Sequence, residues 1–145
     1  MSVGRICVRE VDLAEPDESV RDAALRMSSR CVGSLMVLDE EARPVGIVTD
    51  RDLAIRVVGK GLNSIETRVR DVMSKAPDCV QEETAIETAL AYMRAGPYRR
   101  LPVVDLEGRL IGVVSLDDIL ELLSEEFNDI GQLIRNESPT SLAEA

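Results

Sequence analysis

The sequence predicts a mixed α/β fold in which one structural unit occurs twice. Three observations predict it: an internal repeat, an amphipathic helix in each copy, and a hairpin in each copy. The segment LMVLDEEARPVGIVTDRDL (35–53) aligns without a gap on LPVVDLEGRLIGVVSLDDI (101–119), which lies 66 residues further on, and 8 of the 19 positions are identical. Such a repeat indicates a duplicated supersecondary unit whose copies pack against each other.

Each copy is predicted to begin with a short strand and one helix. Apolar residues at i, i+3, i+4 and i+7 mark one face of this helix in both copies. They are Val20, Ala23, Ala24 and Met27 in the first copy, and Ile86, Ala89, Leu90 and Met93 in the second. We therefore expect helices over roughly 18–30 and 84–95 with this face in the core, preceded by strands near Val11 and Val80.

A hairpin and a second helix complete each copy. The hairpins are predicted to join 34–38 to 44–48 and 100–104 to 109–114, through the turns DEEA (39–42) and DLEG (105–108). The second helices begin at Asp50 and Leu116. Because strands alternate with helices, we expect the helices to cover the sheets. The two copies should pack together, since neither alone is long enough to bury a large core.

The predicted organisation divides the chain into three parts. Residues 1–62 form the first copy, 63–125 the second, and 126–145 a C-terminal helix with its tail. The segment GKGLNS (59–64) is the linker, and RVRDVMS (68–74) leads into the second copy. Apolar residues at helical spacing extend the last helix to about residue 135, and we expect fraying beyond Ser138. These residues are Phe127, Ile130, Leu133 and Ile134.

Composition argues against several classes of function. The formal net charge of −10 disfavours nucleic acid and anionic membrane surfaces as partners. No apolar run approaches the roughly 20 residues that span a bilayer, and no signal-peptide core is present, so we expect a cytoplasmic protein. The chain has no histidine, which removes the commonest general base and a common metal ligand. Cys7, Cys31 and Cys79 are single, which favours reduced, buried, apolar side chains. We therefore expect neither catalysis nor a metal site.

The strand-to-helix junctions carry a hydroxyl and an acid three residues apart in both copies. They read Thr49-x-x-Asp52 and Ser115-x-x-Asp118. One interpretation is a capping box, in which the hydroxyl and the acid satisfy free backbone N–H groups at the helix start. The other is a site for a nucleoside phosphate, because a helix N-terminus attracts phosphate and an acid can accept from ribose hydroxyls.

The second copy carries a basic pair that the first copy lacks. Arg99 and Arg100 precede its hairpin, where the first copy has Gly33 and Ser34. Solvated charges at a strand edge are one interpretation, and an anion clamp is the other. The two copies should therefore not bind identically, and the side of the second copy is the better candidate for phosphate.

The hairpins also contain one matched glycine in each copy. Gly46 and Gly112 occupy the same position of the repeat. We expect these glycines to let a ligand approach the strand closely.

At these residues the chain resembles the CBS (cystathionine β-synthase) domain in its tandem form, the Bateman module. The resemblance covers roughly residues 3–125 and is carried by RVRDVMS, RRLPVVD, GIVTDRDL and GVVSLDDI. The segment TDRDLAIRVVGKGLN is similar to a stand-alone bacterial subgroup. The resemblance implies two βαββα units related by a pseudo-twofold axis, with two clefts that bind an adenosyl ligand. That ligand would be AMP, ADP or ATP, with S-adenosylmethionine as a further option, and no cofactor is required.

The resemblance also implies roles for ten residues. Ribose and phosphate would be contacted by Thr49, Asp52, Ser115 and Asp118, and phosphate also by Arg99 and Arg100. Adenine would lie against Pro77 and Tyr98 in one cleft, and against Val11 and Val32 in the other.

The family pairs its modules into dimers through helices, so the resemblance implies a homodimer, and the apolar stripe after Leu120 could serve that contact. No effector domain is present in this sequence, so an effector protein would act in trans. The alternative function is an assembly module that binds a protein partner and no ligand.

Overall fold

The computed structural model describes residues 1–96 and 98–137, so the fraying expected beyond Ser138 lies outside the described residues. The strands are β1 (Leu13–Ala14), β2 (Ser34–Leu38), β3 (Pro44–Thr49), β4 (Ser74–Lys75), β5 (Val80–Gln81), β6 (Arg100–Val104) and β7 (Leu110–Ser115). The helices are α1 (Val20–Arg30), α2 (Asp50–Asp52), α3 (Val69–Val72), α4 (Ile86–Ala95) and α5 (Leu116–Asn136). A 3-10 turn spans Val3–Arg5, and π-helical turns continue α2 over Leu53–Val58.

Two small sheets with the same internal pairing confirm the mixed fold. Their strand orders are β1-β2-β3-β4 and β5-β6-β7. In both, a short first strand runs parallel to its neighbour and a hairpin follows it antiparallel. Ser34 lies opposite Thr49 as Arg100 lies opposite Ser115, and both hairpins shift register at the same place in the repeat. The duplicated sequence therefore gives a duplicated backbone.

The predicted helices and hairpins are confirmed, but the predicted helix face is too wide. The residues of this face that lie in the core are Val20, Ala23 and Met27 in α1, and Ile86, Ala89 and Met93 in α4. Ala24 and Leu90, at i+4, are exposed. Each helix therefore contacts its sheet along a narrow stripe of i, i+3 and i+7 positions. The first strand of the first copy begins at Leu13, two residues after the predicted Val11.

The two copies exchange their leading segments. Val69 and Val72 lie in the core of the first copy, although RVRDVMS leads into the second copy along the chain. In return, Val3 lies in the core of the second copy. The Val3 N–H donates to the Thr84 carbonyl at 2.8 Å, and the matching Val69 N–H donates to the Glu18 carbonyl at 3.0 Å. Packing therefore crosses the boundary proposed between 1–62 and 63–125.

The second helices of the two copies differ in length. In the first copy, helical structure ends at Val58, and Gly61 turns with a φ of 66° inside the predicted linker. In the second copy, α5 continues to Asn136, one residue beyond the predicted end. Among residues 1–96 and 98–137, no helix is both long and apolar enough to cross a membrane.

Candidate ligand-binding cleft

Both strand-to-helix junctions form reciprocal capping boxes, so the capping interpretation is confirmed. The Asp52 N–H donates to Thr49 Oγ1 at 3.1 Å, and the Thr49 N–H donates to Asp52 Oδ2 at 3.0 Å. The matching distances at Ser115 and Asp118 are 3.1 and 2.8 Å. Each cap uses one carboxylate oxygen, which leaves the other oxygen of Asp52 and Asp118 for a further contact.

The second oxygen has different surroundings at the two junctions. Asp52 Oδ1 lies 3.8 Å from Nε of Arg56, one helical turn further on. Leu122 holds the matching position near Asp118. Within the described part of the chain, no cationic group lies within ion-pair distance of Asp118. The carboxylate of the second copy is therefore the freer of the two to accept from a ligand.

A cleft of about 300 Å³ lies beside Asp118, and its walls come from both copies. It brings together five of the ten predicted site residues, and these five combine an apolar pair, a cation, a hydroxyl and an acid. They are Val11, Val32, Arg100, Ser115 and Asp118. The predicted apolar slot of the first copy thus faces the polar junction of the second copy.

Arg100 is positioned by its strand. It pairs with Ser115 across β6 and β7, so the two side chains lie on the same face of the sheet. Gly33 adjoins it, because a Cβ on Gly33 would lie 3.5 Å from Nη2 of Arg100 and 3.3 Å from Oδ2 of Asp50. Among residues whose positions are described, no carboxylate lies within ion-pair distance of Arg100. Its guanidinium is therefore available to an anion in the cleft.

Acidic residues that the sequence did not predict also line this cleft. Glu10 and Asp12 lie in its wall, and Asp12 is paired with Nε of Arg30 at 2.7 Å. The other unpredicted lining residues are Val8, Cys31, Gly33, Ser34, Met36 and Val113. Gly33 and Ser34 could have been predicted as lining residues, because they match the basic pair of the second copy. Nothing in the sequence pattern indicated that Glu10 and Asp12 would line the cleft.

The remaining five predicted residues do not line this cleft. Thr49 and Asp52 form the opposite junction, described above. The Arg99 side chain is exposed, and its carbonyl accepts from the Leu116 N–H at 2.8 Å. Tyr98 is 38% exposed, and its ring lies over Gly96, where it leaves no room for a Cβ. Pro77 is half-buried next to β4.

The prediction that Gly46 and Gly112 admit a ligand is wrong. The Met73 side chain covers Gly46, and the Val8 carbonyl oxygen lies 2.8 Å from where a Cβ of Gly112 would stand. Met73 and Val8 belong to the two exchanged segments. The glycines therefore make room for the chain itself, and the close backbone approach that they allow is a packing feature.

The cysteines are less buried than predicted. Cys31 and Cys79 are exposed, and only Cys7 is half-buried. Burial raises the pKa of the Cys7 thiol, so it stays protonated near neutral pH. Across the described residues, no three His, Cys, Asp or Glu side chains are grouped so that they could hold a metal ion.

Comparison with known proteins identifies the repeated unit. The family model described as "CBS domain" matches twice, at residues 3–59 and 69–125. An uncharacterized protein of Methanopyrus kandleri is 38% identical over 122 residues, which cover 84% of this chain and 62% of that protein. The chain therefore spans less than two thirds of that relative's length.

Solved structures have the same fold. A CBS-domain containing protein from Agrobacterium tumefaciens is 29% identical, with a TM-score of 0.76 over 84% of this chain and 98% of that chain. The CBS domain pair of another protein, solved with 5′-methylthioadenosine and S-adenosyl-L-methionine, has a TM-score of 0.77 at 24% identity, over 87% of this chain and 98% of that one. Two family matches over most of the sequence, and these likenesses in fold, show that the chain belongs to the CBS domain family, with two copies of the domain in tandem.

Proposed function

We propose that the chain is a non-catalytic regulatory module that binds an adenosyl ligand in the cleft beside Asp118. The observation that carries this proposal is the convergence, from two copies, of groups suited to the three parts of such a ligand. Val11 and Val32 supply apolar surface, Asp118 supplies an acceptor, and Arg100 supplies a cation. Other modules of the family bind adenosyl ligands, and one solved relative in fold carries two of them.

The polar junction suits a ribose and its phosphate. Asp118 accepts the Ser115 N–H with one oxygen, and the other oxygen can accept from a ribose hydroxyl. The Ser115 hydroxyl oxygen accepts the Asp118 N–H, so its own proton can be donated to a phosphate oxygen. The cap and the ligand therefore use different lone pairs and protons of the same two side chains.

The charges of the cleft favour a ligand with few phosphates. Glu10 and Asp118 line the same cleft as Arg100, while the Asp12 carboxylate is already paired with Arg30. One free guanidinium can hold one phosphate in a bidentate contact, but each further phosphate would approach acidic side chains. We therefore place AMP ahead of ATP among the adenosyl ligands.

Regulation follows from the position of the cleft between the copies. A ligand there contacts the first copy through Val11 and Val32 and the second copy through Ser115 and Asp118. Because it binds better when the two walls are correctly spaced, it biases the relative placement of the copies. An effector protein in trans would read that change.

The matched substitutions Asp118→Ala and Asp52→Ala test the proposal by isothermal titration calorimetry with AMP. Each removes one capping-box acid, so each should lower the free energy of unfolding by about 1 kcal/mol. Only Asp118→Ala should weaken AMP binding, by about tenfold or more, because a hydrogen bond to a charged group is lost. Asp52→Ala is the control for the loss of a cap.

Two outcomes would overturn the proposal. One is equal AMP affinity in wild type and Asp118→Ala, which would leave Asp118 with a capping role alone. The other is the absence of any heat or thermal shift with AMP, ATP, adenosine and S-adenosylmethionine. That result, together with no co-purified adenosyl compound in mass spectrometry, would favour the ligand-free assembly module.

A further inference from the structure

Arg56 contacts two groups at the first junction, and these contacts hold its guanidinium in place. Its Nη1 donates to the Val72 carbonyl at 2.7 Å, and its Nε lies 3.8 Å from Oδ1 of Asp52. The first contact is a hydrogen bond, whereas the second is an ion pair that is too long to be one. Arg56 therefore connects the acid of the first helix start to α3, the helix of the exchanged segment.

The equivalent place in the second copy is open. At the repeat offset of 66 residues, Leu122 matches Arg56 and Ile6 matches Val72. A pocket of about 180 Å³ lies there, and its lining comes from the N-terminal segment and α5. The lining residues are Ile6, Asp118, Glu121, Leu122 and Glu125. Where the first copy holds a guanidinium of its own, the second copy therefore has a space beside Asp118.

This difference decides how well each acid can accept from a ligand. A ribose hydroxyl is a neutral donor, and at Asp52 it would compete with a cation that is already in place. The Asp52 side chain is 14% exposed and that of Arg56 is 42% exposed, so water screens the pair only in part. At Asp118 a hydroxyl meets no such competitor within the described part of the chain. The first junction is therefore the poorer acceptor for a sugar, whatever the number of phosphates.

We propose that Arg56 is a specificity-determining residue that keeps Asp52 from accepting an adenosyl ligand, so that the chain binds one such ligand, beside Asp118. Arginine or leucine at this position of the repeat decides whether the acid of the junction is available. This inference rests on the proposed function. It extends that function from the ligand class to the number of ligands bound and to the residue that sets the number.

Equilibrium dialysis with adenosine, which counts the molecules bound per chain, tests the proposal. Adenosine has no phosphate, so the lack of a cation matching Arg100 at the first junction does not affect the count. At a concentration that saturates wild type, wild type should bind one adenosine. Arg56→Leu, which gives the first junction the residue of the second, should bind two. Adding Asp52→Ala to Arg56→Leu should return the number to one, because the acceptor of the new site is removed.

Leu122→Arg makes the converse change. An arginine four residues after Asp118 can reach its carboxylate, so adenosine affinity should fall by about tenfold or more, because an acceptor is taken from the ligand. Ser124→Arg is the matched control and should leave the affinity unchanged, because Ser124 is exposed and does not line the pocket. Circular dichroism checks the fold of each variant. Arg56→Gln is a second variant, since glutamine keeps a donor for the Val72 carbonyl and removes the cation.

The possible failures are distinguishable. Two adenosines per chain in wild type would show that Arg56 does not prevent binding. One adenosine in both Arg56→Leu and Arg56→Gln, or an unchanged affinity in Leu122→Arg, would show that this position does not decide it. Each of these results overturns the inference and leaves the proposed function standing. A wild type that binds neither adenosine nor AMP would instead overturn the proposed function, and this inference with it.

Discussion

Thr49 and Ser115 begin their helices with the same backbone angles, φ −115° and ψ 162°, and with the same two capping hydrogen bonds. Their surroundings differ. Arg56 approaches Asp52 at the first junction, whereas Leu122 stands near Asp118 at the second. Across the hairpin, Ser34 faces the first hydroxyl and Arg100 faces the second. The duplicated fold thus keeps the hydroxyl and acid of the helix start in both copies, while the side chains around them differ between the copies.

The largest expected loss of stability comes from substitutions in the exchanged segments, a feature that the two copies share. Val3 and Val69 are both fully buried, each in the core of the other copy. Val3→Asp and Val69→Asp should each lower the free energy of unfolding by more than about 4 kcal/mol, because an unpaired charge would enter an apolar core. Urea denaturation followed by circular dichroism measures this loss.

Val58→Asp is the matched control for these two substitutions. Val58 is 78% exposed, so the same change there should cost less than about 0.5 kcal/mol. A Val3→Asp variant as stable as Val58→Asp would show that the N-terminal segment does not complete the core of the second copy. The two cores would then not be built in the same way.

This exchange shows which part of the fold the sequence could not predict. The repeat offset of 66 residues is the same whether RVRDVMS packs on its own copy or on the other. Helices and hairpins followed from local periodicity and turn residues, which depend on neighbours along the chain. The docking of Val3 and Val69 depends on contacts between residues far apart in sequence. The repeat therefore predicted the units and left their mutual packing open.

The next largest effect is a loss of AMP affinity, and it tests the difference between Ser34 and Arg100 at the two junctions. Arg100→Ser gives the second junction the residue that the first junction has at Ser34. AMP binding should weaken by about tenfold or more, because a charge-assisted contact to phosphate is lost, while adenosine binding stays the same. Calorimetry with both ligands measures the difference.

Arg99→Ser is the matched control, because Arg99 is exposed and does not line the cleft. Equal weakening of AMP binding by Arg99→Ser and Arg100→Ser would mean that the pair acts through its long-range charge. In that case the difference between Ser34 and Arg100 would not give the second junction a direct contact to phosphate.

Part of the candidate site could be predicted by comparing the two copies of the repeat, from what they share and from what only one of them carries. The hydroxyl and acid of both junctions, and the basic pair, stood out because the two copies could be compared. The assembly of Val11 and Val32 with Ser115 and Asp118 required the packing of one copy against the other. Glu10 lies in the same wall, but nothing distinguishes its side chain from other exposed acids along the chain.

A smaller effect separates the two hairpin turns. Ala42 and Gly108 hold the same position of the repeat, and both have positive φ, 63° and 84°. Gly108→Ala should lower the free energy of unfolding by about 1 kcal/mol, since a Cβ is disfavoured in the left-handed region. Ala42→Gly should raise it by less than that, because glycine also gains freedom in the unfolded chain. Thermal and urea denaturation measure both changes.

The expected loss of stability in Gly108→Ala comes from the backbone conformation, because the added Cβ would not clash with neighbouring atoms. The nearest atom to a Cβ on Gly108 would be Cδ of Arg43 at 3.8 Å, an ordinary van der Waals distance. Gly61 has a φ of 66° with no atom within 4 Å, so Gly61→Ala should cost about the same as Gly108→Ala. A Gly108→Ala variant as stable as wild type would indicate that the turn changes its backbone conformation at no cost.

The smallest effect is a pH dependence carried by the second turn. The Arg109 and Glu107 N–H groups donate to the Asp105 carboxylate, and Nε of Arg109 donates to it at 3.1 Å. The backbone hydrogen bond from Arg109 is the main reason that the pKa of Asp105 is below its usual range. In the first turn, Asp39 accepts the same two backbone bonds, but Nε of Arg43 donates instead to the Glu107 carbonyl.

A carboxylate whose pKa is lowered on folding stabilises the folded state above its unfolded pKa of about 4, and this contribution is lost as pH falls through the lower folded value. Wild type should therefore be more stable than Asp105→Asn at neutral pH, and the difference should shrink in acid. Urea midpoints from about pH 7 to 3 measure it, and the effect should be small because Asp105 is solvent-accessible. A constant difference across this range would show that the turn holds Asp and Asn by hydrogen-bond geometry alone. In that case the additional guanidinium contact would not distinguish the second turn from the first.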